Sequence, residues 1–152
     1  MKKSTKTYLF FILSALAVGG ISAFLTRNNM NIFETVQKPP FAPPAFIFPI
    51  VWSFLYILMG IGASRVFLVS PQSDGLLVYW VNLAVNFFWS IIFFNMRAFG
   101  FAFIWLLLLL AVVITMAVKF FRIDKLSGYL QIPYVVWLVI AGYLNLFIYL
   151  TN

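Results

Sequence analysis

The chain has 152 residues, 64% of them hydrophobic and 9% charged, with a mean hydropathy of +1.06. A soluble domain is nearer half apolar and a quarter charged, so a soluble globular fold and disorder are both excluded and the chain is expected in a membrane. The net charge of +7 comes from cations scattered singly rather than clustered, a distribution that membrane topology requires and that argues against a nucleic-acid partner.

Five apolar runs are each near the roughly 20 residues that cross the hydrocarbon core. In chain order they are Tyr8–Leu25, Ala45–Val69, Leu76–Asn95, Phe99–Val118 and Gly128–Leu150. They lack the alternation of a barrel strand, so they are expected to be helices. The predicted fold is an all-α membrane protein, a single five transmembrane helix bundle over residues 1–152. Lys2, Lys3 and Lys6 before the first run resemble a secretory signal, but the run is longer than a signal's apolar core, and a retained first helix is expected.

The connections Ser70–Gly75, Met96–Ala98 and Lys119–Ser127 read as tight turns. Thr26–Pro44 is longer and carries Pro39, Pro40, Pro43 and Pro44, which stiffen it into a lid, with Pro43–Pro44 suited to the start of the second helix. Lys2, Lys3, Lys6, Arg65, Lys119, Arg122 and Lys125 fall on one side, against Arg27, Lys38 and Arg97 on the other. That imbalance predicts a multi-pass cell-membrane protein with a cytoplasmic N-terminus, an extracytoplasmic C-terminus and an extracytoplasmic lid.

The chain has no Cys and no His, which excludes disulfides, Cys/His metal sites and Ser-His-Asp or Cys-His catalysis. No metal is expected and no cofactor is required. The acids Glu34, Asp74 and Asp124 all lie between spans. A carboxylate inside a span costs about 3 kcal/mol and usually marks a proton path, so a small multidrug-type proton-coupled exporter is disfavoured.

Aromatic residues make up 20% of the chain, more than an interfacial belt needs. Trp80 and Trp105 fit that belt, whereas Trp52, Trp89 and Trp137 lie well inside their helices. Their neighbours fall at helical spacing: Asn82, Asn86 and Ser90 in the third span, Pro133, Trp137, Ala141 and Asn145 in the fifth, and Trp52, Tyr56 and Gly60 in the second. One reading is interhelical glue, with amides bonding across helices and small residues letting backbones approach. The other is a pocket between the second, third and fifth helices, walled by indole and phenol and suited to a flat, apolar, aromatic ligand.

The segments Lys38–Tyr56 (KPPFAPPAFIFPIVWSFLY), Asn86–Phe94 (NFFWSIIFF) and Pro133–Asn145 (PYVVWLVIAGYLN) resemble, in order and spacing, the TspO/MBR family. This family includes the tryptophan-rich sensory proteins and the translocator protein, or peripheral-type benzodiazepine receptor, and the chain resembles its bacterial members. The resemblance implies five transmembrane helices, often as a homodimer. It also implies a cavity under the first loop that takes porphyrins (protoporphyrin IX, haem) and hydrophobic drugs as ligands. Carried residue by residue, it implies ligand contacts from Trp52, Tyr56, Asn86, Trp89, Phe93, Trp137, Ala141 and Asn145, with Phe33 and Phe41 closing the lid. Arg27, Lys38 or Arg97 would meet porphyrin propionates at the mouth. An alternative activity is light- and oxygen-dependent porphyrin degradation through Trp52 and Trp137. Two departures stand out: Ile32-Phe33 replaces a Trp-Tyr pair, and no basic residue follows Lys125, so the animal cholesterol motif is incomplete. The stripe Ala15, Gly19, Ala23 is the expected surface for a homodimer.

Overall fold

The computed structural model describes residues 2–152. Its helices are α1 (Lys3–Thr26), α2 (Ile32–Thr35), α3 (Ile47–Val69), α4 (Asp74–Ser90), α5 (Phe99–Ile123), α6 (Lys125–Tyr129) and α7 (Ile132–Thr151). Asp74–Ser90 continues into a π-turn over Ile91–Asn95. Five of these segments, α1, α3, α4 with its π-turn, α5 and α6 with α7, are long and apolar enough to cross a membrane. The protein is all-helical and multi-pass.

Several boundaries move from those expected, each for a local reason. The fourth span runs past Val118 to Ile123, where Asp124 turns extended and its carboxylate accepts from the Ser127 amide at 3.1 Å. Asp124 thereby caps α6, so Lys119–Ser127 is mostly helix rather than a turn. The second span starts at Ile47, not at Ala45. Pro43 and Pro44 precede it in a turn closed by the Ile47 amide on the Pro44 carbonyl at 3.0 Å, and Pro49 occupies the first helical turn in their place. The lid is not wholly irregular, since it holds α2. Gly128–Leu150 is interrupted between α6 and α7, where Gln131 is fully buried and its amide nitrogen donates to the Ser127 and Leu58 carbonyls, both at 3.3 Å.

Lipid tails are as apolar as leucine, so helix association depends on close backbone approach and interhelical bonds. The α1–α3 pair shows this. A Cβ on Gly60 would lie 2.5 Å from the Ile12 Cα, and one on Gly19 would lie 2.3 Å from the Tyr56 ring. Ala15 and Ala63 are completely buried on the same seam. The Ala15–Gly19 stripe is therefore spent within the chain, against α3, and is not a free face for a second copy. Only Ala23 of the three is exposed.

The dense core occupies the half of the bundle nearer the N-terminus. Met59, Ala63, Val66, Tyr79, Leu109, Val113, Met116 and Phe120 all have no exposed surface there. The half beneath the lid is packed less tightly and holds a cavity.

Candidate functional site

The cavity measures about 410 Å³ and lies between α1, α3, the end of α4 and α7, under the lid. That volume falls in the range of small-molecule pockets. Of the ten residues expected to contact a ligand, Phe33, Trp52, Tyr56, Trp89, Phe93, Trp137, Ala141 and Asn145 line it. Phe41 and Asn86 do not.

Phe41 is 90% exposed. The chain turns at Pro39, whose carbonyl accepts from the Ala42 amide at 3.1 Å, and this turn buries Pro39 while pointing Phe41 outward. Phe48 takes the closing role instead. Its ring meets Phe33 edge-on at 4.8 Å and Trp137 edge-on at 5.4 Å, which joins the lid to α7 through α3.

Asn86 is buried behind the wall, and its amide is fully engaged. Its Oδ1 accepts from the Tyr56 hydroxyl at 2.6 Å and its Nδ2 donates to the Tyr134 hydroxyl at 2.8 Å. Asn86 thus bonds across helices and does not line the cavity. Asn145 lines the cavity but is also committed: Oδ1 accepts from the Trp89 indole at 3.1 Å, and Nδ2 donates to the Phe99 carbonyl at 2.9 Å. Its role is to fix the Trp89 ring, which stacks on Phe93 at 5.1 Å and 25°. Phe93 lies in the π-turn, and Trp89 lies in the last turn of α4 just before it.

Two further tryptophans fall outside the wall. Trp80 stays at the perimeter, 39% exposed, with edge contacts to Phe10 and Tyr79. Trp105, expected in the belt, is drawn inward, because its indole N–H donates to the Val85 carbonyl at 2.7 Å and ties α5 to α4.

The α1 side of the cavity, with Leu16, Gly19, Gly20, Ser22 and Ala23, was not anticipated. A stripe of small residues signals close approach equally well to another chain, to a neighbouring helix or to a ligand, and spacing alone does not separate these. Phe48 and Phe94 were missed for a different reason, since neither falls on the stripes through Trp52 or Trp89.

The lid is braced once within itself and tied to the bundle at two places. The Lys38 ammonium donates to the Phe33 carbonyl at 2.7 Å and sits 4.8 Å from the centre of the Phe33 ring. The Asn152 amide exchanges hydrogen bonds with the Gln37 backbone at 3.2 and 3.3 Å. Asn29 donates to Asn95 at 2.7 Å, and Asn95 in turn donates to the Leu25 carbonyl at 3.1 Å. Of the three cations expected at the mouth, Lys38 is thus a brace within the lid, and Arg27 folds over Phe24 and donates to its carbonyl at 2.5 Å. Arg97 is exposed and reverses the chain with φ of 53°, a left-handed conformation that a non-glycine residue adopts at some strain.

Chemically the wall is aromatic and uncharged, and Tyr56 is its only ionisable side chain. One polar group in it lacks a partner: the Trp137 indole N–H is buried, in a residue 8% exposed, and has no acceptor. A buried donor left unmade costs about 1–3 kcal/mol, which the packing around the Trp137 ring offsets.

These features define a class of multi-spanning membrane protein in which a lidded, aromatic cavity opens on one side of a helical bundle. The comparisons agree. The model of the TspO/MBR family matches residues 10–150, and the chain belongs to that family. Protein CrtK of Rhodobacter capsulatus is 37% identical over 148 residues, covering 95% of this chain and 91% of that one. The tryptophan-rich sensory protein of Cereibacter sphaeroides is 32% identical over 138 residues, 91% of this chain and 86% of the relative. The translocator protein of Bos taurus is 31% identical over 145 residues, 90% and 83% of the two chains.

Proposed function

We propose that the protein binds flat, apolar tetrapyrroles of the porphyrin class, protoporphyrin IX and haem among them, in the cavity beneath the lid. The observation that carries this reading is the lidded cavity of about 410 Å³ with an uncharged wall, in which π-faces on Trp52, Trp89, Phe93 and Trp137 supply the stacking surface. Ordinary acid–base turnover has no support in the wall, so binding rather than hydrolysis or group transfer is the activity proposed. The cation imbalance supports a cytoplasmic N-terminus, which places the lid outside the cell.

Titration of the purified protein with protoporphyrin IX, following tryptophan quenching and the Soret shift, tests the reading. A micromolar Kd is expected, and Trp137→Ala should weaken it by about 1 kcal/mol through loss of the aromatic wall. Trp80→Phe, remote from the cavity, should leave it unchanged. Equal losses from the two substitutions, or no saturable binding, would refute the reading. Illumination in air should leave the bound Soret band intact, and bleaching that required Trp52 and Trp137 would replace binding with photo-oxidation as the activity.

A further inference from the structure

A second space, a groove of about 720 Å³, lies between the start of α5 and the end of α7. It shares no residue with the lidded cavity. Leu146, Tyr149 and Asn152 face the groove at a spacing of three, whereas Ala141, Asn145 and Ile148 face the cavity from another side of the same helix. Phe101, Ile104 and Tyr149 line the groove and are 51%, 65% and 53% exposed, so it opens outward from the bundle. Gly100 shapes its floor: a Cβ there would lie 2.7 Å from the Tyr149 ring, which therefore rests against the α5 backbone.

The depth of the groove follows from the length of α5. Its 25 residues make a rod about 37 Å long, against about 30 Å of hydrocarbon. Arg97 stands just before one end and Arg122 in the last turn of the other, so the first turn reaches headgroup level. Phe101 and Ile104 then lie at the level of the acyl chains. Arg97 lines this groove and not the lidded cavity. Of the three cations on the lid side it alone has no hydrogen bond or ion pair among the described residues, since Arg27 and Lys38 are bound to carbonyls. The first turn of α5 also has no side-chain cap, which leaves further donors at the same mouth.

We propose that this groove binds an anionic phospholipid, with the phosphate on Arg97 and an acyl chain along Phe101, Ile104 and Leu146. An unpaired guanidinium at headgroup level, set over an apolar channel that opens to lipid, is complementary to a molecule with an anion at one end and hydrocarbon at the other. A small soluble anion gains nothing from the channel. Phosphatidylcholine carries the same phosphate, but its trimethylammonium brings a like charge toward Arg97. The site is independent of whatever fills the lidded cavity.

Native mass spectrometry of the delipidated full chain, titrated with phosphatidylglycerol and phosphatidylcholine of identical chains, tests the proposal. One phosphatidylglycerol should be retained about tenfold more tightly than phosphatidylcholine, and the ratio should fall as salt rises. Arg97→Gln should bring the ratio close to one, and Arg97→Lys should restore part of it. Arg122→Gln, a cation lost from the other end of the same helix, should leave it unchanged. Leu146→Trp fills the channel and should weaken phosphatidylglycerol about tenfold with Arg97 intact. Equal retention of the two lipids, a ratio that survives Arg97→Gln, or a ratio lost equally in Arg122→Gln overturns the assignment of Arg97. Displacement of the lipid by free glycerol phosphate, or full retention in Leu146→Trp, overturns the assignment of the groove.

Discussion

Replacing Lys38 with Met retains the aliphatic stem and removes the ammonium, which isolates the brace inside the lid. Two interactions disappear: the hydrogen bond to the Phe33 carbonyl at 2.7 Å and the cation–π contact at 4.8 Å. A bond from a charged donor is worth about 1.5–3 kcal/mol when buried, but Lys38 is only half-buried, and about 1 kcal/mol is the fitting value here. The ring contact adds about 0.5 kcal/mol at a partly exposed site. Together these amount to about 1.5 kcal/mol, or roughly a tenfold rise in the population in which the 33–38 turn is loosened. Hydrogen exchange at the backbone amides of residues 32–37 should accelerate by that factor, since these amides are protected while the turn is closed. Protoporphyrin release should accelerate in stopped-flow displacement by no more than that factor, with association little changed, because a loosened turn seats Phe33 less firmly. Unaltered exchange in Lys38→Met would show that the Gln37–Asn152 and Asn29–Asn95 bonds hold the lid alone. A slower association with unaltered release would instead mean that Lys38 guides the ligand in rather than holding the cover down.

Gly60→Ala should lower resistance to unfolding in detergent by about 1–3 kcal/mol, because the new methyl meets the α1 backbone at 2.5 Å. Gly20→Ala, with nothing within 4 Å, should be neutral or slightly stabilising. Asp124 is held at a pKa of about 2, first by the Arg65 guanidinium and then by the Ser127 hydroxyl. Its folded value lies below the unfolded value of about 4, so its contribution is complete above that pH and is lost as the pH falls toward 2. Asp124→Asn should flatten acid unfolding over that window and lower stability at neutral pH by about 1 kcal/mol. Reporters active only in the cytoplasm should work at the N-terminus and fail at the C-terminus, and a cytoplasmic C-terminus would reverse the assigned orientation.

The number of spans was readable from composition because lipid leaves so few options for an apolar run, and Trp52, Trp89 and Trp137 were readable as wall residues because each lies too deep for a belt. The polar residues were harder. Asn86 and Asn145 sit at the spacing expected of ligand handles, yet both amides are consumed by tyrosine, indole and backbone partners. The side chains that consume them, Tyr134 and Tyr56, lie on other helices, and one-dimensional spacing carries no information about which faces meet. Phe41 failed for another reason: a proline-rich loop has no period, so nothing in its sequence distinguishes the inward Phe33 from the outward Phe41. The helical segment Lys125–Tyr129 was legible in principle, since Asp124 stands three residues before Ser127 as its cap, but a charged stretch between spans reads first as a loop.

The π-turn at Ile91–Asn95 ties cavity width to chain length. Its wider bonds, such as the Met96 amide to the Ile91 carbonyl at 3.0 Å, hold one more residue than α-helical bonding would over the same stretch. Removing a single residue there would restore an ordinary helix without leaving a gap in the hydrogen bonding. Because the turn already holds that extra residue, the residues beyond the deletion would keep their faces, and the change would fall on the turn itself, resetting Phe93 and Phe94 against Trp89. The bore of this cavity can thus be reset by an indel of one codon.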